Sequence, residues 1–241
     1  MTADPVAKPG LRERKKQEKL DRIKRAARAL FSKRGFHSTT IRDVAARAGV
    51  ATGTVFLYAK DKADLLLILF SDAVTAVQDE AFAALPMRRA GAASLLVTQL
   101  THVFGRFFAF YDRDRALSRL FVKELLFTDA PRSAQHFALT FAFLDRIGQL
   151  VAAAQERGEI RADIEPQRAA MLFFGTYFLT LVAFLDSSEV IHLELETAIA
   201  RLTSGLTLQI EGLRPPSPGS EPGKPRSRRA AGDKRSSQSP K

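Results

Sequence analysis

TTIRDVAARAGVATGTVFLYAKDK, residues 39–62, holds two helical patterns on either side of a glycine. Ile41, Val44, Ala45 and Ala48 fall three and four apart and share one face of a short helix, while Arg42, Asp43 and Arg47 point elsewhere. Gly49 stops that helix, because glycine enters the left-handed backbone of a tight turn without steric cost. Val50 and Val55 give the second helix its own apolar anchors, and Ala45 is small where two helix axes would cross. The spacing predicts two short helices at a steep angle, a helix-turn-helix whose second helix can enter the major groove of DNA.

The segment resembles the N-terminal DNA-binding domain of the TetR family of one-component transcriptional regulators. The resemblance runs through Phe36, Thr39, Thr40, Ile41, Val44, Ala45, Ala48, Gly49, Val50, Gly53, Thr54, Tyr58, Lys62 and Leu65. The chain departs from the family at four positions. Ala51 stands where a serine usually caps the recognition helix, Phe56 where tyrosine is frequent, Leu57 where histidine is common and Ala59 where phenylalanine is usual. These changes touch base and phosphate contacts, so they bear on the operator sequence rather than on the helix framework. The resemblance implies a recognition helix over about 52–58, with Thr52, Gly53, Thr54 and Leu57 facing base edges. It implies phosphate contacts from Thr39, Thr40, Tyr58 and Lys62, with Arg42 also among the DNA-binding residues. No arginine or asparagine on this helix matches a base edge, which shifts specificity towards DNA shape and methyl contacts.

Upstream, Leu20, Ile23, Ala27, Leu30 and Phe31 recur at helical spacing within residues 11–34, and Gly35 ends that helix. Packed on the helix-turn-helix, it completes a three-helix domain over residues 11–62. Residues 1–10 read as a disordered arm. Downstream, Asp61 is placed to cap a helix that begins at Lys62 and runs to about residue 84 before Pro86. Lys62 at that N-terminus would share a phosphate with free backbone N–H groups. The same helix enters the second domain and is the natural mechanical link between the two.

The charge follows this division. The net charge is +11, split as +10 over residues 1–62, −5 over 63–213 and +6 over 214–241. Positive charge gathered on the helix-turn-helix end suits a phosphate-binding module. There is no cysteine, which excludes a disulfide framework, a thiolate metal site and a cysteine nucleophile. The four histidines are scattered, and no paired carboxylates, nucleophile elbow or P-loop are visible, so neither a cofactor nor catalysis is expected. With no apolar leader at the N-terminus, the expected location is the cytoplasm.

Residues 63–213 read as an antiparallel helical bundle for ligand binding and dimerisation, making the whole chain all-α. Helices are expected over about 92–111, to about 127 after a turn at 112–115, from Pro131 to Gly158, and from Pro166 onward. Ala169 to Leu185 is free of charge but short for a membrane span and bracketed by helices patterned for water, so no membrane is expected. Leu195, Ile199, Leu202, Leu206, Ile210 and Leu213 form an apolar seam in the last helix. These last two helices resemble the family's dimer interface, which implies a homodimer. Residues 214–241 have the composition of a disordered basic tail.

Fifteen of the 18 phenylalanines lie between Phe70 and Phe184, fitting an apolar ligand pocket or an ordinary helical core. Candidate pocket residues are Gln99, His102, Arg106, Phe107, Phe137, Phe141, Phe174 and Tyr177, with His136 and Thr140 as further polar groups. Arg106 is placed to meet an acidic head group if it points inward. The resulting expectation is a dimeric repressor on a pseudo-palindromic double-stranded operator, released by a small apolar or amphipathic effector such as a fatty-acyl compound. The rival is a helical ligand-binding or enzymatic module with a degenerate DNA domain, motivated by Ala51, Leu57 and Ala59.

Overall fold

The computed structural model describes residues 10–91, 93–126, 130–186 and 193–216, and the side chains of 130–137 are not among those described. The expected arm and tail at the two ends therefore lie outside the described residues, apart from Gly10 and residues 214–216. The protein is all-helical. Three helices build the N-terminal domain, α1 (Leu11–Arg34), α2 (Ile41–Ala48) and α3 (Thr52–Phe56). Ile23, Ala26, Ala27, Leu30 and Phe31 of α1 pack on Val44, Ala45 and Ala48 of α2, all of them buried. The first half of α1 touches no core and projects as an exposed basic helix. Gly35 and Gly49 take φ of 83° and 65°, the left-handed values that end α1 and turn α2 into α3.

The recognition helix is shorter than its sequence pattern suggests. α3 stops at Phe56, and Leu57 and Tyr58 continue as a turn. Ala51 precedes α3 without any side-chain hydrogen bond, so its first N–H groups lack the cap a serine would supply. The departure at Ala59 is structural, since that side chain is buried.

The second domain holds α4 (Lys62–Ala83), α5 (Leu95–Asp112), α6 (Arg115–Leu126), α7 (Ala130–Glu156), α8 (Pro166–Leu185) and α9 (Leu195–Gly212). α5 is central, with Phe104 and Phe108 wholly enclosed, and it packs against α4, α6, α7 and α9. It begins at Leu95, later than expected, because Ser94 caps it by accepting from the Val97 N–H. The expected turn at 112–115 is tighter, with Asp112 still inside α5 and α6 starting at Arg115. α8 lies between α7 and α9 and is the one described helix long and apolar enough to cross a membrane.

The expected dimer seam needs correcting. Leu202, Leu206 and Ile210 are buried inside their own chain, and Leu195 and Ile199 are half-buried there. The seam packs on α5, where the Thr101 and Thr203 hydroxyls are 3.2 Å apart and Ile199 approaches Gly105. The side chains left bare are Met171, Leu172, Leu179 and Val182 on α8 and Leu208 on α9. α8 and α9 touch so closely that a Cβ on Gly205 would stand 2.9 Å from the Thr176 methyl.

Candidate nucleic-acid interface and effector cavity

Two sites lie at opposite stretches of α4. At its start is the surface of the helix-turn-helix. Thr40 opens α2 with a reciprocal cap: its hydroxyl accepts from the Asp43 N–H at 3.2 Å and donates to the Asp43 carboxylate at 2.7 Å. The Thr40 N–H donates to the same carboxylate at 2.9 Å. The Thr40 hydroxyl and N–H, with Arg34 beside them, hold the Asp43 carboxyl below its usual range. Arg42 is exposed at the start of α2, and Thr52, Gly53, Thr54 and Leu57 stand on or beside α3 with Leu57 the most open.

Thr39 is not a surface group. Its side chain is 1% exposed and its hydroxyl donates to the Gly35 carbonyl at 2.9 Å, which fixes the entry into α2 and removes it from any phosphate. The Tyr58 hydroxyl donates to the Lys16 carbonyl at 3.1 Å, pinning the projecting half of α1 to the turn after α3. Lys62 folds back, its ammonium 3.1 Å from the His37 carbonyl and 4.5 Å from the centre of the Phe36 ring. Asp61 caps the head of α4 as expected, its carboxylate accepting from the Asp64 N–H at 2.8 Å.

Farther along α4 lies an apolar cavity of about 90 Å³. Ser71, Val74 and Gln78 of α4 form one wall. Phe107 and Tyr111 of α5, Phe121 and Leu125 of α6, Thr140 and Phe143 of α7, and Phe174, Tyr177 and Phe178 of α8 supply much of the rest. Of the expected pocket residues, Phe107, Phe174, Tyr177 and Thr140 are here. Gln99, His102 and Arg106 are not, because they sit on a different side of α5. The Gln99 side chain donates to the Pro86 carbonyl at 3.1 Å, and Arg106 pairs with Glu80 at 3.1 Å on the surface rather than facing a ligand. Phe141 is exposed on the outside of α7, and the side chains of His136 and Phe137 lie outside the described residues.

Burial pushes the Tyr111 and Tyr177 phenols upward in pKa, so both stay neutral and serve the cavity only as hydrogen-bonding groups. Among the described residues no cluster of His, Asp or Glu could hold a metal. The α4 wall was missed from sequence, although Ser71, Val74 and Gln78 recur three and four apart on one face.

Besides apolar packing of α1 on α4, two polar contacts among the described residues fasten the DNA domain to this bundle. Lys24 of α1 pairs with Asp72 of α4, and Ser32 of α1 donates to Asp114, just before α6, at 2.9 Å. Asp72 is next to the cavity residue Ser71 on α4.

Residues 23–69 match the sequence model of the bacterial regulatory proteins of the tetR family. Over 200 residues the chain is 22% identical to the fatty acid metabolism regulator protein of Bacillus subtilis (strain 168), an alignment covering 83% of this chain and 98% of that one. Among solved structures, FadR of Thermus thermophilus, a TetR family transcriptional repressor in complex with lauroyl-CoA, is similar with a TM-score of 0.66 and 26% identity. That match covers 85% of this chain and 100% of the other. FadR of Bacillus subtilis in complex with stearoyl-CoA shares the fold with a TM-score of 0.62 at 21% identity, covering 80% of this chain and 99% of that one.

Proposed function

We propose that this chain, a DNA-binding transcriptional regulator of the tetR family, is a homodimeric repressor that releases its operator when a fatty acyl-CoA inserts its acyl chain into the cavity. The observation that carries this reading is the cavity wall formed by Ser71, Val74 and Gln78, because those residues belong to the helix whose first turn abuts the DNA surface. The cavity is apolar, which suits an alkyl chain at about 0.8 kcal/mol for each methylene buried. At about 90 Å³ it has the space of about three waters, well below the usual ligand pocket of about 300–1,000 Å³. An acyl chain therefore enters only by pushing the helices apart. That displacement is the differential affinity a ligand needs to shift a two-state dimer.

The dimer forms through the bare apolar face of α8 and Leu208 of α9, paired about a two-fold axis. Two recognition helices then meet successive half-sites of a pseudo-palindrome. The protein works in the cytoplasm, and its long apolar helix serves the cavity and the partner rather than a lipid bilayer.

The test is an operator selected from random DNA, titrated with the full chain in the presence of lauroyl-CoA, stearoyl-CoA or free coenzyme A. Acyl-CoA should weaken operator binding by about 5- to 150-fold, the usual range of coupling between sites, and free coenzyme A should not. Equal operator affinity with and without every acyl-CoA from short to long chain would overturn the effector half of the reading. Selection that recovers no sequence would overturn the regulator half.

A further inference from the structure

The recognition helix is fastened to its domain through Val55 and the residue after its turn, Ala59, both buried. At about 100° per residue, the pole opposite Val55 belongs to residues 53 and 57. Gly53 leaves that pole empty, and a Cβ built on it would meet nothing within 4 Å in the protein. Its backbone is ordinary helix, so neither packing nor conformation requires glycine there. Leu57 completes the pole and is 82% exposed, with Phe56 beside it at 52%. The outward pole of the recognition helix is thus a gap followed by two bare hydrocarbons, while Arg42, Arg47 and Lys60 stand exposed on the same domain.

Resting on the operator-binding reading above, we propose that Leu57, supported by Phe56, reads the operator through the C5 methyl groups of thymines on the floor of the major groove. Gly53 lets the helix axis come close enough for that contact. The thymine methyl is the one alkyl group a base pair presents in this groove; cytosine shows only a C5–H there, and the polar features are donors and acceptors. Leucine has neither, so against thymine it buries methyl on methyl. Against guanine or cytosine it strips water from a polar edge and returns no hydrogen bond. Preference for thymine then arises from attraction at one base and penalty at the others. Cytosine carrying a C5 methyl displays the same carbon in the groove and recovers the attractive part.

The test uses the full chain and its selected operator, with each thymine replaced in turn by deoxyuridine, which removes only the methyl. Dissociation constants are measured by fluorescence anisotropy for the wild type and for Leu57→Ala, a substitution at an exposed position that leaves the core untouched. At one or two thymines per half-site, deoxyuridine should weaken wild-type binding about four-fold, and about fifteen-fold when both half-sites are changed. Leu57→Ala should bind the two DNAs alike. Wild-type affinity that stays within about two-fold for every deoxyuridine operator would overturn methyl readout while leaving operator binding intact. So would full deoxyuridine sensitivity in Leu57→Ala, which would place the methyl contact on another side chain. Absence of any selected operator overturns the regulator reading, and this inference with it.

Discussion

Leu179→Asp should split the dimer without unfolding the protomer. Leu179 is 73% exposed on α8, flanked by Met171, Leu172 and Val182, with Leu208 of α9 close to as bare at 71%. Together the five uncover the equivalent of about three whole side chains per protomer, and at about 2 kcal/mol each a two-fold pairing gains about 12 kcal/mol gross. Association costs about 4–15 kcal/mol, so the surplus is small and sensitive to a single substitution. In a two-fold interface each change is felt twice. Losing most of a leucine on both protomers and burying two carboxylates in its place should cost about 4 kcal/mol, raising the dimer dissociation constant about a thousand-fold. Sedimentation velocity at micromolar protein reads the mass, far-UV circular dichroism reads the helix content, and operator titration should show weakened binding. Leu206→Asp is the contrast, because Leu206 is enclosed by its own chain and a charge there should unfold the domain. A Leu179→Asp protein that remains dimeric, or a wild type that is already monomeric at this concentration, would refute the assignment of the interface to α8.

Gly53→Ala should leave thermal stability unchanged or raise it, since alanine is the better helix former and its methyl meets open space, while operator binding weakens by about 1–3 kcal/mol as the helix is held off the groove. Val74→Phe should fill the cavity, abolishing the response to acyl-CoA while operator binding in its absence persists, as paired titrations would record. Thr40→Ala should cost about 1 kcal/mol in thermal or urea unfolding by removing the cap of α2. Because hydrogen bonds from Thr40 depress the Asp43 pKa, the carboxylate contributes its stability in full above the ordinary carboxylate range. That contribution is lost as pH falls through the folded value, so melting temperatures should drop below about pH 4, and Asp43→Asn should flatten the drop.

The helix-turn-helix was legible because its signals are local: apolar spacing on each helix and a glycine at the turn. Thr39 was misplaced for the opposite reason. Its hydroxyl satisfies the Gly35 carbonyl at the end of the preceding helix, a partner that no spacing rule within α2 reveals. The seam from Leu195 to Ile210 was read as a pairing face, whereas Leu202, Leu206 and Ile210 are buried within their own chain. Periodicity reports that a face is covered, and α5 of the same chain covers this one as well as a partner could. The cavity was half legible. Phe107, Phe174 and Tyr177 were found through aromatic content, whereas Gln99, His102 and Arg106 were chosen as a polar stripe on α5 that the fold turns away from the cavity. Ser71 and Gln78 became meaningful only once the bundle brought α4 over α6, α7 and α8.

α8 presents Phe174, Tyr177, Phe178 and Leu181 to the cavity and Met171, Leu179 and Val182 to the outside. The two sets interleave along the helix, so on the reading proposed above a substitution that retunes the effector also risks the pairing surface. Drift in ligand preference is therefore channelled to α6 and α7, because α4 also carries the contacts to the DNA domain. Two sister genes that diverged along that route would keep the same α8 and still recognise each other's products. Their mixed dimers would carry one half tuned to each effector, placing a single promoter under two metabolic signals.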